Sequence, residues 1–224
     1  MAFSIKDGFL YQDEQQVTYN PSPNFTDKVP DYKYLIMHYM AGRSLRHGCD
    51  WLVRPIARAS AHLGIGRDAE VEQLVPFTKV AWHAGKSAYH GLQHLNWHSL
   101  GIELDNAGRL EKQNGGWKAW FGGLYDKNVV LVATHKDESA PSGWHTYTSE
   151  QIEVAMEISA LLVVTYGLKG VIGHDDVDIP DGRKSDPGPA FPMQSFRSKV
   201  MGREDPVENR MRVRFLARLK AGFI

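Results

Sequence analysis

Residues 34–38 read YLIMH, a compact run of large apolar side chains that ends in a histidine. An apolar run of this length is typical of a buried β-strand. Two further runs have the same character, SLGIEL at residues 99–104 and GVIG at residues 170–173. Residues 60–66 and 69–75 predict two more short strands that a turn joins.

Helical patterns lie between and after these strands. Residues 45–53 predict one helix. Residues 150–166 carry apolar side chains at helical spacing, with Ser149 suited to the N-cap and Gly167 to the C-terminal cap. Residues 190–200 predict a last helix. Strands that alternate with helices favour a single α/β domain.

Three segments are less regular. Residues 1–33 contain scattered prolines and predict an extended arm with at most one short strand. Residues 106–148 are rich in Gly, Asn, Lys and Trp, which predicts a long surface insertion with one strand near residues 128–134. Residues 195–224 carry eight Lys or Arg against three acids. We interpret this basic tail as a solvated terminal segment, with a strand at residues 210–217; a contact with an anionic surface is the alternative.

The composition excludes several classes of protein. The 224 residues carry 26 basic and 26 acidic side chains, so the net charge does not favour a nucleic-acid partner. The one cysteine, Cys49, forms no internal disulfide, and we interpret it as a small buried apolar residue. No apolar run approaches the roughly 20 residues that cross a bilayer, and the N-terminus lacks a secretory signal. We therefore expect no transmembrane segment and a cytoplasmic site of synthesis.

Two histidines and one aspartate predict a metal site. His38 ends one apolar strand, His174 follows another, and Asp186 lies twelve residues further in the same loop. Two imidazoles and a carboxylate are suitable zinc ligands, and three protein ligands leave a fourth position for water. The spacing alone is weak support, because a histidine at a strand end is more often structural.

Four segments strengthen this interpretation, and they occur in a defined order along the chain. They are YLIMHYMAG at residues 34–42, ASAHLGIGRDAEVEQLVPFTKVAWHAGKS at 59–87, HSLGIELDNAG at 98–108 and GHDDVDIPDGRKSDPGPAF at 173–191. Together they resemble the zinc-dependent N-acetylmuramoyl-L-alanine amidases, and most of all the subgroup that recycles anhydro-muropeptides. The resemblance implies a central mixed sheet flanked by helices, zinc held by His38, His174 and Asp186, and no other cofactor.

The same resemblance implies a division of the chain and an activity. Residues 34–194 would form the catalytic domain, between the arm at 1–33 and the tail at 195–224. The anionic surface open to the basic tail would then be the cell wall, and the site of action, cytosol or cell wall, stays open. The implied reaction is hydrolysis of the amide bond between N-acetylmuramic acid and L-alanine, in peptidoglycan or its fragments.

Two further residues take catalytic roles by resemblance. Glu103 would take a proton from the attacking water and pass it to the leaving amine. Lys184 would stabilise the oxyanion. The structural alternatives are an ion pair for Glu103 and a solvated loop residue for Lys184. Some family members place a tyrosine before the histidine that matches His62; here that residue is Ala61, which leaves more of the catalysis to Glu103.

Four residues are candidates for substrate binding, because they lie in segments that line the groove of similar proteins: His62, Trp82, His83 and Arg183. Trp82 would pack against sugar or peptide, and core packing is its alternative. His83 would hydrogen-bond the substrate. Arg183 would pair with peptide carboxylates, or else brace its own loop.

Two other functions remain open at this point. The first is a module of the same fold that binds peptidoglycan without cutting it. The second is a different metallohydrolase, such as a peptidase that cleaves within the stem peptide. The complete set of metal ligands favours catalysis over binding alone.

Overall fold

A mixed six-stranded sheet forms the centre of the molecule in the computed structural model, which describes residues 2–113 and 115–202. Its strands are, in spatial order, Gly170–Gly173, Tyr34–Tyr39, Ser99–Leu104, Leu63–Ile65, Val71–Gln73 and Thr18–Tyr19. All neighbours are parallel except Leu63–Ile65 and Val71–Gln73, which are antiparallel. The predicted single α/β domain with a mixed sheet is confirmed.

Three α-helices of the described residues pack around this sheet. Helix α1 spans Leu45–Leu52, α2 spans Ser149–Tyr166 and α3 spans Met193–Val200. The cap of α2 differs by one residue from the prediction, since the Thr148 hydroxyl accepts from the backbone N–H of Gln151 and Ser149 lies inside the helix. Gly167 ends α2 in the left-handed conformation, as predicted.

The two faces of the central strand have different partners. Leu35 and Met37 belong to the main core, together with Ile158 and Leu162 of α2. Because side chains alternate along a strand, Ile36 and His38 point to the opposite face. Ile36 packs there in a second, smaller cluster with Leu95 and others. The candidate functional site lies on this second face.

The N-terminal segment is more ordered than predicted. The strands Phe3–Lys6, Phe9–Gln12 and Gln15–Gln16 form an antiparallel sheet, and Phe25–Thr26 pairs with Val80–Ala81. The buried side chain of Gln73 explains the order: its amide oxygen accepts from the N–H of Leu10 and its NH₂ donates to the carbonyl of Gly8. These pairings depend on contacts distant in sequence, so the local composition did not reveal them.

The insertion forms a separate sheet, whereas the sequence predicted only one strand in it, near residues 128–134. Its five strands are Leu124–Tyr125, Gly116–Ala119, Arg109–Gln113, Ser142–His145 and Val130–Ala133. A small core of Ala107, Leu110 and Ala119 holds it together. The remaining short elements are the hairpin Ala88–Tyr89 with Leu92–Gln93 and the 3₁₀ helices Pro55–Ala57, Leu95–Trp97, Lys127–Val129 and His174–Asp176. The strand predicted at residues 210–217 lies outside the described residues, and within those described no helix is long and apolar enough to cross a membrane.

Candidate metal centre and groove

The three predicted metal ligands meet at one edge of the central sheet. Gly173 pairs with Met37 in parallel register, so His174 and His38 follow at the same strand ends. The N–H of Asp175 donates to the carbonyl of Asp186 at 3.0 Å, which brings the loop back to this edge. The Nδ1 atoms of His38 and His174 lie 3.0 Å apart, and each is 2.9 Å from Oδ2 of Asp186.

This triangle fits a metal ion. Zinc in tetrahedral coordination, with bonds of about 2.0 Å, holds its ligand atoms about 3.3 Å apart, close to the separations seen here. Burial and the neighbouring His174 lower the pKa of His38 to about 4, so its imidazole is neutral, as a ligand must be. Burial acts to raise the pKa of Asp186, but its contacts with His174 and His38 hold it below its usual range.

The outer nitrogens of both histidines have acceptors inside the protein. Nε2 of His174 lies 3.2 Å from the carbonyl oxygen of Ala84. Nε2 of His38 lies 3.0 Å from Nδ1 of His83, whose own Nε2 is 3.2 Å from the carbonyl oxygen of Ser99. Because a carbonyl only accepts, these contacts put the protons on the Nε2 atoms and leave each ligand Nδ1 with a free lone pair.

Glu103 lies beside the metal ligands. It pairs with His38 in the parallel register, and both line a cavity of about 320 Å³ with His174 and Asp186. The Oε2 atom of Glu103 is buried and has no hydrogen-bond partner among the described residues. Burial and the charge of Asp186 raise the pKa of Glu103 to about 8, and Lys184 partly opposes this rise. A carboxyl group with such a pKa can both take and give a proton near neutral pH.

Lys184 reaches the same cavity from the loop that carries Asp186. Its backbone N–H donates to Oδ2 of Asp178 at 2.7 Å, which fixes the loop conformation. Its ammonium has no hydrogen bond or ion pair with any described residue, so its charge is free to act on a bound molecule. Tyr39 and Ser185 join the two sides of the cavity through a 2.7 Å hydrogen bond between their hydroxyl groups.

Two of the four predicted substrate-binding residues line the cavity and keep part of their side chains accessible to it. Trp82 is half-buried, and its indole N–H donates to Thr26, so one face of the ring remains for the groove. Arg183 also lines the cavity, although its guanidinium donates to the carbonyls of Ile179 and Lys86. The loop-bracing alternative therefore holds for Arg183 and leaves part of its charge exposed to the groove.

The prediction that His62 lines the groove is wrong. Its side chain is fully buried; Nδ1 accepts from the N–H of Gly101, and Nε2 contacts Tyr32 and the carbonyl of Lys79. His83 does reach the cavity wall, but both ring nitrogens already have partners within the protein. Its predicted hydrogen bond to substrate is therefore replaced by the contact that orients His38.

Comparison with known proteins identifies the family of this chain. The sequence profile described as N-acetylmuramoyl-L-alanine amidase matches residues 28–189. The chain belongs to this family. The matched range contains the three predicted metal ligands and both predicted catalytic residues, and the match confirms the resemblance drawn from the four sequence segments.

Individual amidases of the family show the degree of similarity. The 1,6-anhydro-N-acetylmuramyl-L-alanine amidase AmpD of Escherichia coli is 34% identical over 145 residues, which span 64% of this chain and 59% of that protein. AmpD of Salmonella typhimurium is 29% identical and covers 80% of this chain and 88% of its own length. The structure of E. coli AmiD with anhydro-N-acetylmuramic acid-L-Ala-D-γ-Glu-L-Lys superimposes with a TM-score of 0.57 at 25% identity, over 88% of this chain and 65% of that one.

Sequence reasoning missed several residues of the groove. Tyr39 lines the cavity directly after His38, and Trp51, Trp120 and Phe121 line a neighbouring pocket. The adjacent aromatic pair Trp120-Phe121 in a Gly-rich insertion was the available signal, since contiguous exposed apolar surface often marks a binding site.

Proposed function

We propose that this protein hydrolyses the amide bond between N-acetylmuramic acid and L-alanine in peptidoglycan fragments, with zinc held by His38, His174 and Asp186. The meeting of these three ligand atoms within 3.0 Å, beside the unpartnered carboxyl oxygen of Glu103, is the observation that carries the proposal. Membership of the amidase family supports the same reaction.

Zinc in such a ligand set supplies Lewis acidity, which lowers the pKa of a water molecule toward 7 and polarises a carbonyl group. Glu103 takes a proton from the attacking water and delivers it to the nitrogen of L-alanine as the amide breaks. Lys184 places a positive charge beside the oxygen that becomes negative. The carbonyl of Ala84 holds His174 in the tautomer that binds metal. The carbonyl of Ser99, acting through His83, does the same for His38.

The amidases similar to this chain indicate the substrate class. AmpD is named for 1,6-anhydro-N-acetylmuramyl-L-alanine, and AmiD was solved with an anhydro-muramyl tripeptide. We infer that soluble anhydro-muropeptides are substrates of this protein as well. The γ-linkage of such a peptide leaves the α-carboxylate of glutamate free, so the peptide half is anionic and the amidated sugar half is uncharged.

The test is a digest of anhydro-muramyl tripeptide and of intact sacculi, analysed by mass spectrometry of both products. We expect intact stem peptide and free sugar acid, loss of this activity with a chelator, and its return with zinc. Cleavage within the stem would instead identify a peptidase. Binding of either substrate without any product would identify a recognition module. Activity that persists after complete removal of metal would overturn the role of zinc.

A further inference from the structure

The insertion contacts the loop that supplies two of the three predicted metal ligands. This loop spans residues 174–188 and contains His174 and Asp186, and we call it the ligand loop. Side chains of the insertion reach it at two separate places, one near its start and one near its end. Each place lies within two residues of a predicted ligand.

The contact at the start of the ligand loop is made by His135. This residue is 3% exposed, and its Nε2 atom lies 2.9 Å from Oδ2 of Asp175. Nδ1 of His135 accepts from the backbone N–H of Asp137 at 3.3 Å. Because a backbone N–H only donates, the proton of the neutral ring is on Nε2, and His135 donates it to Asp175.

Asp175 connects this contact to both ligands on the loop. It directly follows His174, and its backbone N–H donates to the carbonyl of Asp186 at 3.0 Å. Asp175 therefore joins the two ligand-bearing parts of the loop, while the insertion holds its carboxylate. Only 13% of that side chain is exposed. Loss of the His135 donor would leave this largely buried carboxylate dependent on Lys136, whose ammonium is 3.5 Å away and more exposed.

Trp144 makes the contact at the end of the ligand loop. Its side chain is buried, and a Cβ atom at Gly188 would lie 2.9 Å from its ring. The indole N–H donates to the carbonyl of Ala133 at 3.0 Å, and the ring centre lies 5.7 Å from that of His135. His135 and Trp144 therefore form one continuous surface of the insertion, which contacts the ligand loop near both ends.

The insertion is itself anchored, so it can act as a fixed support. Its sheet has the small core of Ala107, Leu110 and Ala119. At its far end, the indole N–H of Trp120 donates at 2.7 Å to the carbonyl of Ala41, on the loop that follows His38. The ligand loop, by contrast, consists mostly of Asp, Gly and Pro, and it has few apolar side chains with which to hold its own conformation.

We propose that His135 is a positioning residue, through which the insertion holds the ligand loop in the conformation that brings the three metal ligands together. The proposal rests on the metal centre of the proposed function. Lys136 also reaches the loop, but 43% of its side chain is exposed, and a solvated ion pair stabilises a conformation only weakly. The buried hydrogen bond of His135 is therefore the contact to test.

The experiment compares His135→Phe with His135→Gln and with His145→Phe, all in the full-length protein. Phenylalanine keeps a ring beside Trp144 but cannot donate to Asp175, whereas the amide of glutamine can donate. His145 is the matched control, because it is a buried histidine of the same sheet whose ring accepts from the N–H of Ala107. Two rates are measured: the release of zinc to a chromophoric chelator, and the amide hydrogen exchange of the ligand loop with and without zinc.

We expect His135→Phe to release zinc about tenfold faster and to exchange faster within the ligand loop. His135→Gln should stay near the wild-type rates. His145→Phe should leave both rates unchanged even where it lowers the melting temperature. Wild-type rates in His135→Phe, or equal increases in His135→Phe and either of the other two variants, overturn the proposal.

The hydrogen-exchange measurement separates this proposal from the amidase proposal, because it needs neither zinc nor substrate. Faster loop exchange in His135→Phe alone, in a protein that never releases stem peptide, supports the role of His135 and overturns only the amidase function. Release of stem peptide by the wild-type protein, together with unchanged loop exchange in His135→Phe, overturns only the role of His135.

Discussion

Nε2 of His38 lies 3.0 Å from Nδ1 of His83, whereas Nδ1 of His38 is its proposed metal-binding atom. The other nitrogen of His83 is 3.2 Å from the carbonyl of Ser99, which fixes the direction of both hydrogen bonds. His83, which lies outside the proposed ligand set, therefore fixes the tautomer of His38.

Replacing His83 tests this relationship. We expect His83→Phe to weaken zinc binding by about 10- to 100-fold, because the Nε2–H of His38 loses its acceptor. His83→Asn retains a carbonyl oxygen near the position of Nδ1 and should keep most of the affinity. Competition with a chromophoric chelator measures both values. Equal affinities of the two variants would contradict the role of His83 as an acceptor.

A substitution at Gly101 tests the contact between His38 and His83 through the position of the His83 ring. A Cβ atom at this position would lie 2.6 Å from the His83 ring, closer than any normal contact, so Gly101→Ala should displace the ring and lower zinc affinity. Gly170→Ala is the matched control in the same sheet, since its Cβ would meet Tyr34 only at 3.7 Å. Zinc content after dialysis and the melting temperature separate the two effects. Loss of zinc from both variants alike would point to general destabilisation instead.

Glu103→Gln separates catalysis from metal binding. The amide cannot accept a proton, so we expect turnover to fall by about 10²- to 10⁴-fold while the zinc content stays at the wild-type level. Glu111→Gln makes the same substitution at an exposed strand position of the insertion that does not line the cavity, and it should leave turnover unchanged. Release of stem peptide, followed by mass spectrometry, is the assay. Substantial turnover by Glu103→Gln would remove Glu103 from the mechanism.

The lowered pKa of His145 predicts part of the pH dependence of the free energy of unfolding. Burial, with a smaller effect of Arg67, lowers its pKa to about 4, whereas the unfolded chain has the ordinary value of about 6.5. The unfolded state therefore binds the proton first as the pH falls, and the free energy of unfolding should drop between pH 6.5 and pH 4 by about 2 kcal/mol. His145→Asn keeps an acceptor for the N–H of Ala107 and should lose this part of the dependence.

Denaturant unfolding at several pH values measures the effect of His145. His90→Asn, at an exposed histidine, is the control and should retain the wild-type dependence. The same slope in His145→Asn and in the wild-type protein would contradict the prediction.

The buried strands and the helices were predictable, because each is decided by the apolar pattern of its own residues. The strands Tyr34–Tyr39 and Ser99–Leu104 and helix α2 lie within about one residue of their predicted bounds. The order in the N-terminal segment and in the insertion was not predictable, because it comes from pairings such as Gln73 with Leu10. These partners are 63 residues apart.

The sequence by itself determined which residues carry metal-binding and acid–base chemistry, since imidazole, carboxylate and ammonium groups have these properties wherever they lie. Only the tertiary structure decided which of them act together. Both His62 and His83 come from the same quoted segment, yet one is enclosed beneath Tyr32 and the other supports His38. Likewise, Trp120 and Trp51 form one pocket although about 70 residues separate them. The physical reason is that the role of a side chain depends on its neighbours in space, and these neighbours are set by packing across the sheet.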